Sequence, residues 1–174
     1  MVINGFKLLF RQPIKDMLST KVSEHGVSRG LGEAGYDIRI KQEIQFVGID
    51  SVRRYVVSTE RREDGSIAAY HRKNGRFTLA SAIEEFDMPT DLIGIVHDKS
   101  TWARQGLSVF NTVIECGWKG FLTLELVYHG SENLVIPAGA AIAQVVFHQT
   151  AEHQRYGGKY QNQANEPVPA IASV

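Results

Sequence analysis

A mainly β fold, a distorted antiparallel β-barrel or jelly roll with one short N-terminal helix, is predicted by three features of the chain. Short runs rich in β-branched and aromatic residues recur along it, Gly, Pro, Asn or Asp separates them, and a single stretch repeats its apolar residues at helical spacing. With 174 residues, 43% of them hydrophobic, the chain supplies one domain, 1–174, with a sizeable core, and is too short for two ordinary ones.

The helical stretch is residues 14–24, where Ile14, Met17, Leu18 and Val22 recur at intervals of three and four. Residues 35–41 alternate apolar and charged side chains, and residues 54–57, 77–79, 92–96, 107–110, 121–128, 134–136 and 143–148 are short apolar runs that read as strands. Residues 60–74 are charged and carry the turn signal Asp64-Gly65, which predicts an exposed hairpin or mobile loop. From Glu152 onward the periodicity is lost while Gly157, Gly158, Gln161, Asn162, Gln163, Pro167 and Pro169 accumulate, so residues 152–174 are expected to form a flexible arm.

Charge and cysteine content narrow the partners. Acidic and basic residues balance at 19 each, so no global field draws the chain to nucleic acid or an anionic membrane, and a polyanionic ligand would have to be held by local charge. Cys116 has no second cysteine to pair with, the first residues lack the apolar core of a signal peptide, and no apolar run nears the ~18 residues that span a bilayer. A cytoplasmic setting is expected.

The chemistry is concentrated between residues 98 and 147. In the strand at 121–128, a period of two places Leu122, Leu124, Leu126 and Tyr128 on one face and Phe121, Thr123, Glu125 and Val127 on the other. A carboxylate between Leu124 and Leu126 is costly to bury without a partner or a task, and Arg104 is a candidate partner. Burial would raise the pKa of Glu125 and a close Arg104 would lower it, giving a base usable near neutral pH. The alternative is an ordinary strand glutamate facing solvent or paired with a neighbouring cation.

Residues 99–106 follow an apolar strand and can form one helical turn, where Lys99, Ser100 and free backbone N–H groups would favour an anion such as phosphate. A solvated connection with Trp102 as core filler is the other reading. Gly117 and Gly120 flank Trp118 and Lys119 in a tight turn. Zinc-dependent deaminase chemistry lacks its H-x-E and P-C-x-x-C pair, and the scattered His97, His129, His148 and His153 read as structural. Neither a G-x-S-x-G elbow nor a Walker-type loop occurs.

The run His97-Asp-Lys-Ser-Thr-Trp-Ala-Arg-Gln-Gly-Leu, then Val113-Ile-Glu-Cys-Gly-Trp-Lys-Gly-Phe-Leu-Thr-Leu-Glu-Leu, then residues 139–147, resembles the dCTP deaminase branch of the dUTPase-like superfamily. Gly35-Tyr-Asp-Ile-Arg and the tail Tyr156-Gly-Gly-Lys-Tyr-Gln-Asn-Gln resemble family segments as well. The resemblance implies a homotrimer with sites between subunits and zinc-free deamination of dCTP, or of a 5-modified dCTP, to dUTP and ammonia. It makes Glu125 the general base and gives Ser100 and Arg104 the task of orienting water and pyrimidine. Lys99, Ser100, Tyr156, Lys159 and Gln163 would hold the phosphates, and Trp118 and Tyr160 join the substrate contacts. Backbone groups of Asn111, Thr112 and Val113 would read the base edge, Glu115 would contact the deoxyribose, and the arm would close over the nucleotide. Mg²⁺ would accompany the triphosphate and be held mainly by it, with no nucleic acid or membrane partner. The chain departs from the family at Glu115-Cys116, where Asp-Pro is usual, and in its shorter segment 108–112. A dUTPase, a bifunctional enzyme releasing dUMP and pyrophosphate, and a non-catalytic nucleotide-binding regulator are the alternatives.

Overall fold

Fourteen strands and two short helices make up the computed structural model, which describes residues 1–50 and 52–172. In chain order they are β1 (Val2–Ile3), α1 (Gly5–Arg11), β2 (Lys21–Glu24), β3 (Val27–Leu31), β4 (Tyr36–Arg39), β5 (Glu43–Gly48), β6 (Arg54–Arg61) and β7 (Ile67–Asn74). There follow β8 (Phe77–Asp87), β9 (Leu92–Asp98), α2 (Ser100–Ala103), β10 (Leu107–Val109), β11 (Val113–Ile114), β12 (Lys119–Tyr128), β13 (Leu134–Ile136) and β14 (Ala141–Gln149). They form three antiparallel sheets ordered β11-β9-β14-β4-β3-β2 with β1 also on β14, then β10-β12-β8, then β13-β5-β6-β7. The mainly β, antiparallel expectation holds, but as three open sheets around one core and not as a single closed ladder. Phe46, Phe86 and Phe147, one from each sheet, are fully buried in that core.

The helix lies elsewhere than predicted. Residues 14–24 are not helical: the Lys15 N–H donates to the Glu85 carbonyl at 2.9 Å, the Asp87 N–H donates to the Pro13 carbonyl at 2.9 Å, and Ile14 bridges Phe86. Asp16 takes a left-handed backbone (φ 51°), the Leu18 N–H donates to the Tyr36 hydroxyl at 3.0 Å, and residues 21–24 become β2. Their apolar spacing reflects burial of Ile14 beside β8, and tertiary pairing overrides the local pattern. The actual helix, α1, buries only Leu8 and leaves Phe6 and Phe10 at 80% and 78% exposure, so its sequence carries no amphipathic stripe. It stops at Gln12, in a left-handed conformation, just before Pro13.

Two other expectations are met. Residues 54–74 form the hairpin β6–β7, whose outer strand is almost wholly exposed; Asp64 Oδ1 accepts from the Ser66 N–H at 2.9 Å to shape the turn. One helical turn, α2, follows β9, and Trp102 anchors it by donating from Nε1 to the buried Ala141 carbonyl at 2.6 Å. Trp102 is thus core filler and part of the turn at once.

Gly35 enters β4 where the chain passes close to β14. A Cβ there would lie 2.2 Å from the Val145 carbonyl oxygen, a backbone atom that cannot swing aside. Gly35→Ala should therefore lower stability by about 1–3 kcal/mol through forced strand displacement. Chemical denaturation checks this, and an unchanged midpoint would contradict the close approach.

Candidate active site

Glu125 sits in the middle sheet, on β12, opposite Leu79 of β8 and two residues from Val127, which faces Phe77. Cross-strand neighbours stand about 4.5–5.5 Å apart at Cβ, so the carboxylate rises from an apolar floor. The Phe110 N–H donates to the Glu125 carbonyl at 3.0 Å, continuing the β10 pairing and laying residues 110–115 along the site. Next to it the β12–β8 ladder is irregular: a step of two residues along β12, Phe121 to Thr123, is matched by a step of four along β8, Glu85 to Ser81. Leu122 keeps its predicted place in the core with Leu124, Leu126 and Tyr128, and also borders the cavity that Thr123 and Glu125 line.

That cavity has a volume of about 510 Å³. Phe77 and Leu79 form one side, Thr112, Val113, Glu115 and Trp118 form another, and the C-terminal segment supplies the roof with Tyr156, Tyr160, Gln163, Val168 and Ala170. Glu125 is half-buried within it, and burial pushes its carboxyl pKa above the ordinary glutamate value, opposed only by a bond to its own backbone. Cys116 lies buried beneath this wall, a free thiol 3.9 Å from the Thr150 hydroxyl.

Residues 152–172 contain no regular strand or helix, yet they are tied to the body at many points; Ser173 and Val174, the end of the expected arm, lie outside the described residues. The Tyr156 N–H donates to the Cys116 carbonyl at 2.7 Å, Trp118 Nε1 donates to the Tyr160 carbonyl at 2.6 Å, and the Phe121 N–H donates to the Gln163 carbonyl at 3.0 Å. Gly120 (φ 129°) makes room for this crossing, since a Cβ there would lie 2.5 Å from the Gln163 nitrogen.

The structure thus gathers Glu125, Thr112, Val113, Glu115, Trp118, Tyr156, Tyr160 and Gln163 around one cavity, with Lys159 exposed on the tail beside it and Asn111 exposed at its edge. It does not bring Lys99, Ser100 or Arg104 there within one chain. The predicted Arg104–Glu125 pair is absent among the described residues: Arg104 is exposed, and no cation contributes to the environment of Glu125. The reason is topological. Leu107 pairs with Tyr128 and Val109 with Leu126 in antiparallel register, so the preceding turn is carried past the Tyr128 end of β12, away from Glu125. Lys99 is already engaged: its ammonium meets Asp37 Oδ2 at 2.7 Å and the Ser28 hydroxyl at 3.1 Å, with Lys99 11% and Asp37 2% exposed. Removing one partner of so buried a pair typically costs about 3–5 kcal/mol.

Phe77, Leu79, Leu122, Thr123, Val168 and Ala170 are cavity residues that the sequence reading did not select. Only Thr123 had a signal, its place on the Glu125 face; the others arrive by strand register, a bulge and the tail's path.

The family model described as dCTP deaminase-like matches residues 8–150. The chain belongs to the dCTP deaminase-like family. Among relatives of this family, the dCTP deaminase of Campylobacter jejuni is 32% identical over 173 residues, covering 94% of this chain and 92% of that protein. The dCTP deaminase of Helicobacter pylori is 33% identical over 168 residues, covering 91% and 89%. The fold is also similar to a crystal structure of 2'-deoxycytidine 5'-triphosphate deaminase from Agrobacterium tumefaciens, with TM-score 0.52 and 16% identity over 80% of this chain and 44% of that one. The dCTP deaminase-like match ends at residue 150, before the roof of the cavity begins.

Because burial raises the folded-state pKa of Glu125 above its unfolded value, its contribution to stability is full below the unfolded pKa and is lost as pH rises through the folded pKa. Glu125→Gln should therefore melt above the wild type at neutral pH, with the difference closing as pH falls toward about 4. A thermal-melt series across pH tests this; a pH-independent difference would contradict the desolvated carboxylate.

Proposed function

We propose that the protein hydrolyses dCTP to dUTP and ammonia, with Glu125 as the general base. The observation that carries this reading is a desolvated carboxylate on the floor of a roofed cavity, in a chain of the dCTP deaminase-like family. Glu125 takes a proton from water as its oxygen adds to C4 of the cytosine ring and ring N3 gains a proton, and the second proton of that water passes by way of Glu125 to the exocyclic nitrogen. The C4–N bond then breaks, ammonia departs and the 4-oxo ring of dUTP remains. A base whose pKa is raised toward the working pH both accepts and returns a proton at low cost. The apolar walls and the tail keep bulk water from the reacting centre.

Ser100 and Arg104 are assigned to orienting the water and the pyrimidine. Since they lie away from the Glu125 cavity of their own chain, the reading requires that a neighbouring protomer deliver them, which supports a homotrimer with sites at its interfaces. Lys159, Tyr156 and Gln163 lie on the tail, where they suit the triphosphate, whereas Lys99 is neutralised by Asp37 away from its own chain's cavity, so any phosphate it meets is one bound at a neighbouring protomer. The described residues offer no cluster of three or more His, Cys, Asp or Glu side chains fit to ligate a metal, so Mg²⁺ would be held by phosphate oxygens and would supply charge neutralisation there. No helix is long and apolar enough to cross a membrane, and the cytoplasm, where Cys116 stays reduced, is the proposed setting.

Chromatographic analysis after incubation with Mg²⁺ and, separately, dCTP, 5-methyl-dCTP and dUTP tests the reading. dUTP plus ammonia from dCTP is expected; monophosphate and pyrophosphate would instead indicate the bifunctional or dUTPase activity, and a faster 5-methyl-dCTP reaction would move the substrate to a modified cytosine. Glu125→Gln should reduce kcat by roughly 10²- to 10⁴-fold while nucleotide binding persists. Arg104→Ala, at an exposed position, should fold normally yet lose turnover. Mixing these two inactive variants should restore partial activity, because some interfaces then hold both intact residues; no recovery after verified subunit exchange would refute the shared site.

A further inference from the structure

We propose that Thr123 is a positioning residue, the catch that holds the C-terminal tail closed over the Glu125 cavity, and that its hydroxyl thereby sets substrate affinity. The inference rests on reading this cavity as the nucleotide site.

Thr123 is 7% exposed and lies two residues before Glu125 on the cavity face of β12. A buried hydroxyl on a β-strand is costly unless it is bonded, and valine would fill the same space without that cost. The Thr123 oxygen finds its partners in the tail: Gln163 Nε2 donates to it at 3.1 Å and the Val168 N–H donates at 3.0 Å. Those donors stand five residues apart, so one side chain fastens two of the tail residues that line the cavity.

Upstream of Gln163 the tail has independent ties, such as the Asn162 N–H to the Lys119 carbonyl at 2.9 Å. Beyond Gln163 the fastening is sparser. Lys41 donates to the Asn165 carbonyl at 2.7 Å, and Ile171 folds back on its own tail through the Tyr160 hydroxyl at 3.1 Å and through Lys159. Thr123 is thus the described contact that draws Val168 down to the strand bearing the proposed base. Because about 510 Å³ remains beneath the roof, the segment encloses a space and does not fill it; it is a lid held shut, not a plug.

The test uses two variants of the full chain. Thr123→Val keeps the shape and removes the oxygen, and should raise KM for dCTP roughly tenfold, the effect of losing two neutral hydrogen bonds, with a much smaller change in kcat. Thr123→Ser keeps the hydroxyl and should return most of the affinity. In the free protein, hydrogen exchange at the Val168 amide should quicken in Thr123→Val and not in Thr123→Ser. A lower KM in Thr123→Val would identify the tail as a competitor for the site and overturn the proposal. So would a fall in kcat with KM and tail protection unmoved, the signature of a merely structural strand residue. The exchange readout needs no turnover: if the wild type deaminates no nucleotide, the functional reading falls while exchange still decides whether Thr123 is the catch.

Discussion

The desolvation of one carboxylate organises this molecule. Glu125 is half-buried because β8 and β12 pair in a register that sets Leu79 across from it and Phe77 across from Val127. A shift of that register by one residue would exchange the apolar floor for the opposite face of the strand and return Glu125 to an ordinary surface environment. The register is held by burial of Leu124 and Leu126, at 1% and 0% exposure, on the other face of the same strand. The core packing that stabilises the fold and the environment that raises the Glu125 pKa are thus two faces of one ladder.

Around that ladder the chain keeps its charges apart. Its candidate phosphate-binding cations are spread over different elements: α2 and its flanks carry Lys99 and Arg104, while the tail carries Lys159. Asp37 partners Lys99 within the core, with Gln144 donating to the same carboxylate at 3.2 Å. Together they join β4, the end of β9 and β14 in the large sheet, so the charge of Lys99 serves to tie three strands together. Separation of Arg104 from Glu125 within the protomer is the structural ground for placing the proposed reaction between protomers.

The tail joins fold and chemistry in another way. Its residues make no secondary structure of their own, and their backbone groups are satisfied by the turn at 116–120 and by the start of β12. The small residue at Gly120 is what lets two backbones approach so closely. A segment fastened by hydrogen bonds more than by buried apolar area belongs to the low-stability end of a structure, where lids are found.

Much of this was legible in the residues themselves. Alternation and turn signals marked most strands from 35 to 148, though not β5 or β11, and also the Asp64-Gly65 hairpin and the helical turn after β9, because those features rest on local backbone preference and a period of two. Glu125 stood out because a carboxylate inside an apolar strand is a local anomaly, and the motif residues from 97 to 126 identified the family that the comparison with relatives bears out. Local pattern misplaced the helix, since Ile14 is held beside β8 and Met17 packs against the core, and it paired Arg104 with Glu125, which the antiparallel register of β10 on β12 separates. Leu79 opposite Glu125, the irregular step of β8 beside Leu122 and the contact of Thr123 with Val168 were likewise decided by the tertiary structure. Each depends on which distant segment a strand meets and in what register, a choice made by burial of the whole core and carried by no single stretch of sequence.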